Sequence, residues 1–130
     1  MLVKNLRDCP EAVELLARWF VDGFSHENAD YEEERSWLSR SLDYLSELPV
    51  TFIAFEGSVP VGTARIFYDE MPDRPQCNPW MGYAYVIPAA RRQGVLRWLY
   101  EAMTAYCAAH RITRVYCYTS MLTAAAEAHG

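Results

Sequence analysis

The residues Val86, Ile87, Pro88, Ala89, Ala90, Arg91, Arg92, Gln93, Gly94, Val95 and Leu96 read as a strand that hands over to a helix through a turn. Proline ends the strand. The backbone amides of Gln93, Gly94, Val95 and Leu96 then fall at the N-terminus of the new helix, which carries roughly half a positive charge. Gly94 has no side chain to hold an anion away from its amide, and Arg91, Arg92 and Arg97 bring cations to the same turn. The chemistry this predicts is anion binding, and a diphosphate fits it. The plain alternative is an ordinary basic helix start.

Composition narrows the partners. Twelve basic against seventeen acidic side chains in 130 residues leave a net charge of −5, so no overall positive field attracts nucleic acid. The longest uncharged run, Pro75 to Ala90, holds three prolines and is shorter than the roughly 20 apolar residues a membrane span needs. No apolar signal segment follows the opening residues, so a cytoplasmic protein is expected. Cys9, Cys77, Cys107 and Cys117 show no CxxC spacing, and reduced, buried thiols are expected.

The elements that must position the turn follow from periodicity. Leu2 to Leu6 is a short, partly apolar opening. Asp8 with Glu11 three residues later, and Pro10 between them, predicts a capping box at the start of a helix carrying Ala12, Val13, Leu15, Leu16, Trp19, Phe20 and Phe24. A second helix is expected from Asp30 to Leu48, with Tyr31, Leu38, Leu42 and Leu45 on one face, and Pro49 stops it. Val50 to Phe55, a turn at Glu56, Gly57 and Ser58, and Val59 to Tyr68 predict a β-hairpin. Asp69 to Pro79 reads as a loop, Trp80 to Ile87 as a strand, Gly94 to His110 as a helix, Arg114 to Thr119 as a final strand and Ser120 to Gly130 as an incipient helix. There is no repeat or linker. The order describes one domain of α/β or α+β class, residues 1–130.

With Val86, Pro88, Arg91 and Gly94 in register, the turn resembles the acetyl-CoA signature of the GCN5-related N-acetyltransferase (GNAT) family, a strand ending V-x-P followed by RxxGxG or RxxGxA. The likeness runs from Val50 to Ser120 and includes the "vGta" around Gly62 and the "PW" at Pro79 and Trp80. It implies a mixed, mostly antiparallel sheet flanked by helices, and transfer of acetyl from acetyl-CoA to a primary amine. Amides after Arg91 would hold the CoA pyrophosphate, and Val86 and Ile87 would pair with the pantetheine arm. An amide near Val86 would polarise the thioester carbonyl. Direct attack by the amine needs no side-chain nucleophile.

Three departures from the family pattern stand out. Leu96 occupies the last small position of the signature; Ala126 stands where the family's acid tyrosine would align; and the family's C-terminal strands are expected to be lacking from this sequence. The last point predicts an unpaired sheet edge and a homodimer formed by exchange. The first two leave open an alternative, a non-catalytic CoA-binding or protein-interaction module. Glu70 is the first candidate for a base, then Glu27 with His26, and Tyr118 is a candidate proton donor to the leaving thiolate. Each has the simpler reading of a solvated loop or core residue. Trp80, Tyr83, Phe24, Tyr31 and Trp37 are candidates for an aromatic wall around a cationic amine, against ordinary packing. Glu32, Glu33 and Glu34 either attract that cation or face solvent. No metal is expected.

Overall fold

The computed structural model describes residues 1–23, 30–43, 45–68 and 78–117. Along the chain lie β1 (Leu2–Asn5), α1 (Val13–Gly23), α2 (Tyr31–Arg40), β2 (Val50–Glu56), β3 (Val59–Phe67), β4 (Trp80–Val86) and α3 (Val95–Ala109). The four strands form one antiparallel sheet in the order β1-β2-β3-β4, an α+β arrangement as the sequence pattern implied.

Strand β2 is buried through five consecutive residues, because helices cover both faces of the sheet centre. Side-chain alternation sorts its residues. Val50, Phe52 and Ala54, with Val61, Ala64 and Ile66 of β3, pack on Val95, Leu99, Met103 and Cys107 of α3. Ile53 points the other way, among Val13, Leu16, Ala17 and Phe20 of α1 and Leu38 of α2. The hairpin closes through Gly57 and Ser58 between the paired residues Glu56 and Val59, with Gly57 at φ +63°. That left-handed backbone is the one a two-residue hairpin turn requires of its first residue.

Helix boundaries depart from expectation in two places. The box of Asp8 and Glu11 does not cap α1: residues 6–8 and 10–12 form two short 3₁₀ turns, and the α-helix begins at Val13. The second helix ends at Arg40, not Leu48, and Leu45 is almost fully exposed. Here long-range bonds outweigh the apolar stripe. The Arg7 guanidinium donates to the carbonyls of Ser41 (3.0 Å), Ser46 and Pro49 (3.4 Å), and the buried Ser41 and Thr51 hydroxyls are 2.8 Å apart. Tyr106 of α3 donates to the Glu47 carbonyl. The N-terminus of α2 is capped by Asp30, whose carboxylate accepts from the Glu32 amide.

Gly62 sets how closely α3 approaches the sheet. A Cβ there would lie 2.7 Å from Val95 Cγ1 and 3.2 Å from the Tyr85 carbonyl oxygen. The first residue of α3 therefore rests on bare β3 backbone. Gly62→Ala should cost about 1–3 kcal/mol through overpacking, read as a lower urea midpoint with an unchanged slope. Arg7→Ala should cost roughly 3 kcal/mol in the same measurement, because several carbonyls lose a charged donor at once.

Candidate functional site

Among the described residues strand β4 ends the sheet, and its outer edge is open for most of its length. At the start of the strand Tyr116 makes a parallel bridge to Trp80: the Met81 amide donates to the Tyr116 carbonyl (2.7 Å) and the Tyr116 amide to the Pro79 carbonyl (2.9 Å). From Gly82 to Val86, no other strand among the described residues pairs with this edge. The final strand expected over 114–119 is thus represented by this bridge, and Tyr118 and Thr119 lie outside the described residues.

The chain leaves β4 into the turn read from the sequence. The Ile87 amide donates to the Val61 carbonyl (3.0 Å) and the Ile87 carbonyl accepts from Ala90 (2.9 Å), so both its backbone groups are engaged within the protein. By ladder alternation the Val86 amide faces the open edge, and the Val86 carbonyl accepts from Arg91 Nε at 2.9 Å. Arg92 (φ +64°) and Gly94 (φ +81°) are left-handed. An added Cβ on Gly94 would meet no protein atom within 4 Å, so within the chain it is the φ angle that calls for glycine.

Gly94 is the N-cap of α3 and offers no side-chain cap. The Trp98 amide is the first to close on a helix carbonyl, that of Gly94 at 3.1 Å. The amides of Val95, Leu96 and Arg97 precede it and have no intrahelical acceptor. Three uncapped donors, two left-handed residues and a helix dipole make this turn a fit for a phosphate group. The side chains spread around it: Arg91 lies 5.8 Å from the Tyr85 ring, Arg97 pairs along the exposed helix with Glu101 (3.2 Å), and Gln93 bonds the Ala89 carbonyl. Arg92 is exposed. Leu96 is partly buried against the α3 core, so its extra bulk packs inward.

On the opposite face, under α1 and α2, lies a group the sequence reading did not assemble. Arg65 of β3 is 1% exposed. Its guanidinium carbon sits 4.0 Å from the Trp37 ring centre, 4.2 Å from Phe20 and 4.4 Å from Tyr83, and its Nη2 is 3.1 Å from Glu34 Oε2. Burial pushes its pKa down to about 10, with Glu34 opposing, so it stays a cation at neutral pH. The aromatic wall expected for an amine thus exists in part, and an arginine of the chain itself fills it.

Tyr83 and Trp37 belong to this wall, with Phe20 and Phe67 added. Tyr31 belongs instead to the α1–α2 contact, where Arg18 lies over its ring at 4.7 Å. Trp80 is buried at the vertex of the open edge, 5.7 Å from Tyr116. Of the three glutamates, Glu32 makes an exposed 4.0 Å contact with Arg35 and Glu33 is exposed, while Glu34 turns in to Arg65. Phe24, His26, Glu27 and Glu70 lie outside the described residues. Cys9, Cys107 and Cys117 are reduced, and burial raises the pKa of each. Among the described residues no cluster could hold a metal ion, and no helix is long and apolar enough to cross a membrane.

Comparison with known proteins bears on the fold that carries this site. The structure is similar to that of a predicted acetyltransferase with acetyl-CoA from Clostridium acetobutylicum, at a TM-score of 0.68 and 14% identity over 91% of this chain and 80% of that one. It is also similar to a probable acetyltransferase (0.67, 20%, covering 92% and 79%) and to a GCN5-related N-acetyltransferase from Ralstonia eutropha (0.62, 19%, covering 91% and 82%). At these identities the likeness is one of fold. No curated protein matches the chain in sequence. The model of the acetyltransferase (GNAT) family, however, matches residues 10–129, nearly the whole sequence, and the chain belongs to that family.

Proposed function

We propose that this protein transfers the acetyl group of acetyl-CoA to a primary amine by direct attack. The observation that carries the reading is the uncapped, left-handed entry into α3 beside the open edge of β4. When bound, acetyl-CoA supplies an activated acyl group and a thiolate leaving group. The amides of Val95, Leu96 and Arg97 bind its pyrophosphate, with Arg92 and, after rotation away from Glu101, Arg97 adding charge. The Val86 amide lies along the pantetheine path, and the backbone donors of β4 near the thioester polarise its carbonyl and stabilise the oxyanion of the attacked carbonyl.

The amine nitrogen forms its bond to the acetyl carbon as the carbon–sulfur bond breaks, and the proton it sheds on becoming an amide balances the one the departing thiolate takes up. An alkylammonium with a pKa near 10.4 must first lose a proton, since only about one molecule in a few thousand is neutral at pH 7. Glu70 is our first candidate to accept it, with Glu27 and His26 next, and Tyr118 to protonate the thiolate. We place the protein in the cytoplasm.

Calorimetric titration of acetyl-CoA and CoA into wild type, Gly94→Asp and Gly94→Asn tests the reading. Asparagine tolerates the left-handed backbone and carries no charge, so it isolates the effect of the carboxylate. We expect Gly94→Asp to bind both ligands at least about tenfold more weakly than Gly94→Asn, through repulsion of the pyrophosphate. Binding by wild type then leads to assays with diamines, amino-acid amides and lysine peptides. A folded wild type that binds neither ligand would overturn the proposal and leave an interaction module.

A further inference from the structure

Strand β4 carries one residue more than β3 opposite it. Thr63 faces Tyr85 and Arg65 faces Gly82, so Tyr83 and Ala84 together face Ala64. At this bulge Tyr83 takes φ +52°, a left-handed conformation that a bulky residue adopts only when its surroundings impose it. Burial alone does not impose it, because Tyr83 is 47% exposed. Its ring is held on the inner side, by the Arg65 guanidinium at 4.4 Å and by Phe67 at 5.2 Å.

Arg65 is itself immobilised. Glu34 of α2 fixes one end of the guanidinium, and Phe20 of α1 and Trp37 of α2 lie against it, with ring centres 4.2 and 4.0 Å from its carbon. Its Nε is buried without a hydrogen-bond partner among the described residues. An apolar side chain would fill this volume without that cost. What an apolar side chain lacks is a flat cationic platform for an aromatic ring. Ahead of the bulge β4 is also pinned, since a Cβ on Gly82 would lie 3.1 Å from Phe67 Cε1.

From this arrangement we propose that Arg65 is a positioning residue for acetyl transfer: its guanidinium keeps Tyr83 left-handed and so aims the amides that follow the bulge on the open edge of β4. The inference rests on the function proposed above. It extends that function across the sheet, because the residue that sets the acyl-binding edge is anchored through Glu34 to α2 on the face away from α3.

The test uses acetyl-CoA and CoA as probes. CoA lacks the acetyl carbonyl, so a merely structural role for Arg65 moves both affinities together, and a positioning role moves acetyl-CoA alone. Arg65→Met should weaken acetyl-CoA binding about fivefold, the loss of one hydrogen bond, and CoA binding less than about twofold. In a Tyr83→Gly background, where glycine holds the left-handed angle unaided, adding Arg65→Met should change the acetyl-CoA preference less than about twofold. Should Arg65→Met fail to fold, Arg65→Lys keeps the charge, loses the plane and is read in the same way.

Equal losses for both ligands, or the same loss of preference in both backgrounds, would overturn the inference while wild-type binding leaves the proposed function standing. A wild type that binds no acetyl-CoA overturns the function, and this inference with it.

Discussion

Everything at the candidate site depends on how near a helix can come to a sheet. The dipole and free amides of α3 act over a few ångströms, so they serve a ligand lying along β4 only if the first turn sits against the strands. Val95 does so by resting on Gly62, where any side chain would collide with it. Leu99, Met103 and Cys107 continue the contact along the sheet centre and fix the helix direction. The left-handed Gly94 then lets the chain enter that helix from the end of β4 without a long loop.

The two faces of the sheet are chemically unlike. Toward α3 the buried residues are apolar. Toward α1 and α2, Thr51 meets Ser41, Thr63 donates to the Phe52 carbonyl, and Arg65 meets Glu34. Buried hydrogen-bonded groups specify orientation more sharply than apolar contacts do, because each must find its partner. The apolar face supplies cohesion and seats the entry turn of α3, while the polar face fixes the relation of α2 to β3 and β4.

Much of this was legible in the sequence. The hairpin was marked by Val50 to Phe55 and the Gly57 turn, α3 was placed to within a residue at each end, and the turn at Arg91 to Gly94 stood out by type and spacing. The end of α2 was not legible. Leu42 and Leu45 continue its apolar stripe, and only the fold brings Arg7 to the carbonyls of residues 41–49. The false cap at Asp8 has a similar origin, since local signals do not distinguish a 3₁₀ turn from the first turn of an α-helix. Arg65 was invisible as a functional residue because its partners come from α1, α2 and β4, and no spacing rule joins Phe20, Glu34, Trp37 and Tyr83. Nor does any residue-type rule foretell that a tyrosine will adopt φ +52°.

Strand β1 pairs Leu2 with Phe55 and Asn5 with Phe52, about fifty residues apart, whereas β2 and β3 meet through a two-residue turn. Closing the longer loop costs more chain entropy, and its reward comes only once β2 has a place in the sheet. At this edge the strand made first therefore has no partner until β2 has been made. The first strand made docks only after α1, α2 and β2 have followed it, and α1 and α2, made between the two strands, are enclosed by contacts that only the arrival of β2 completes.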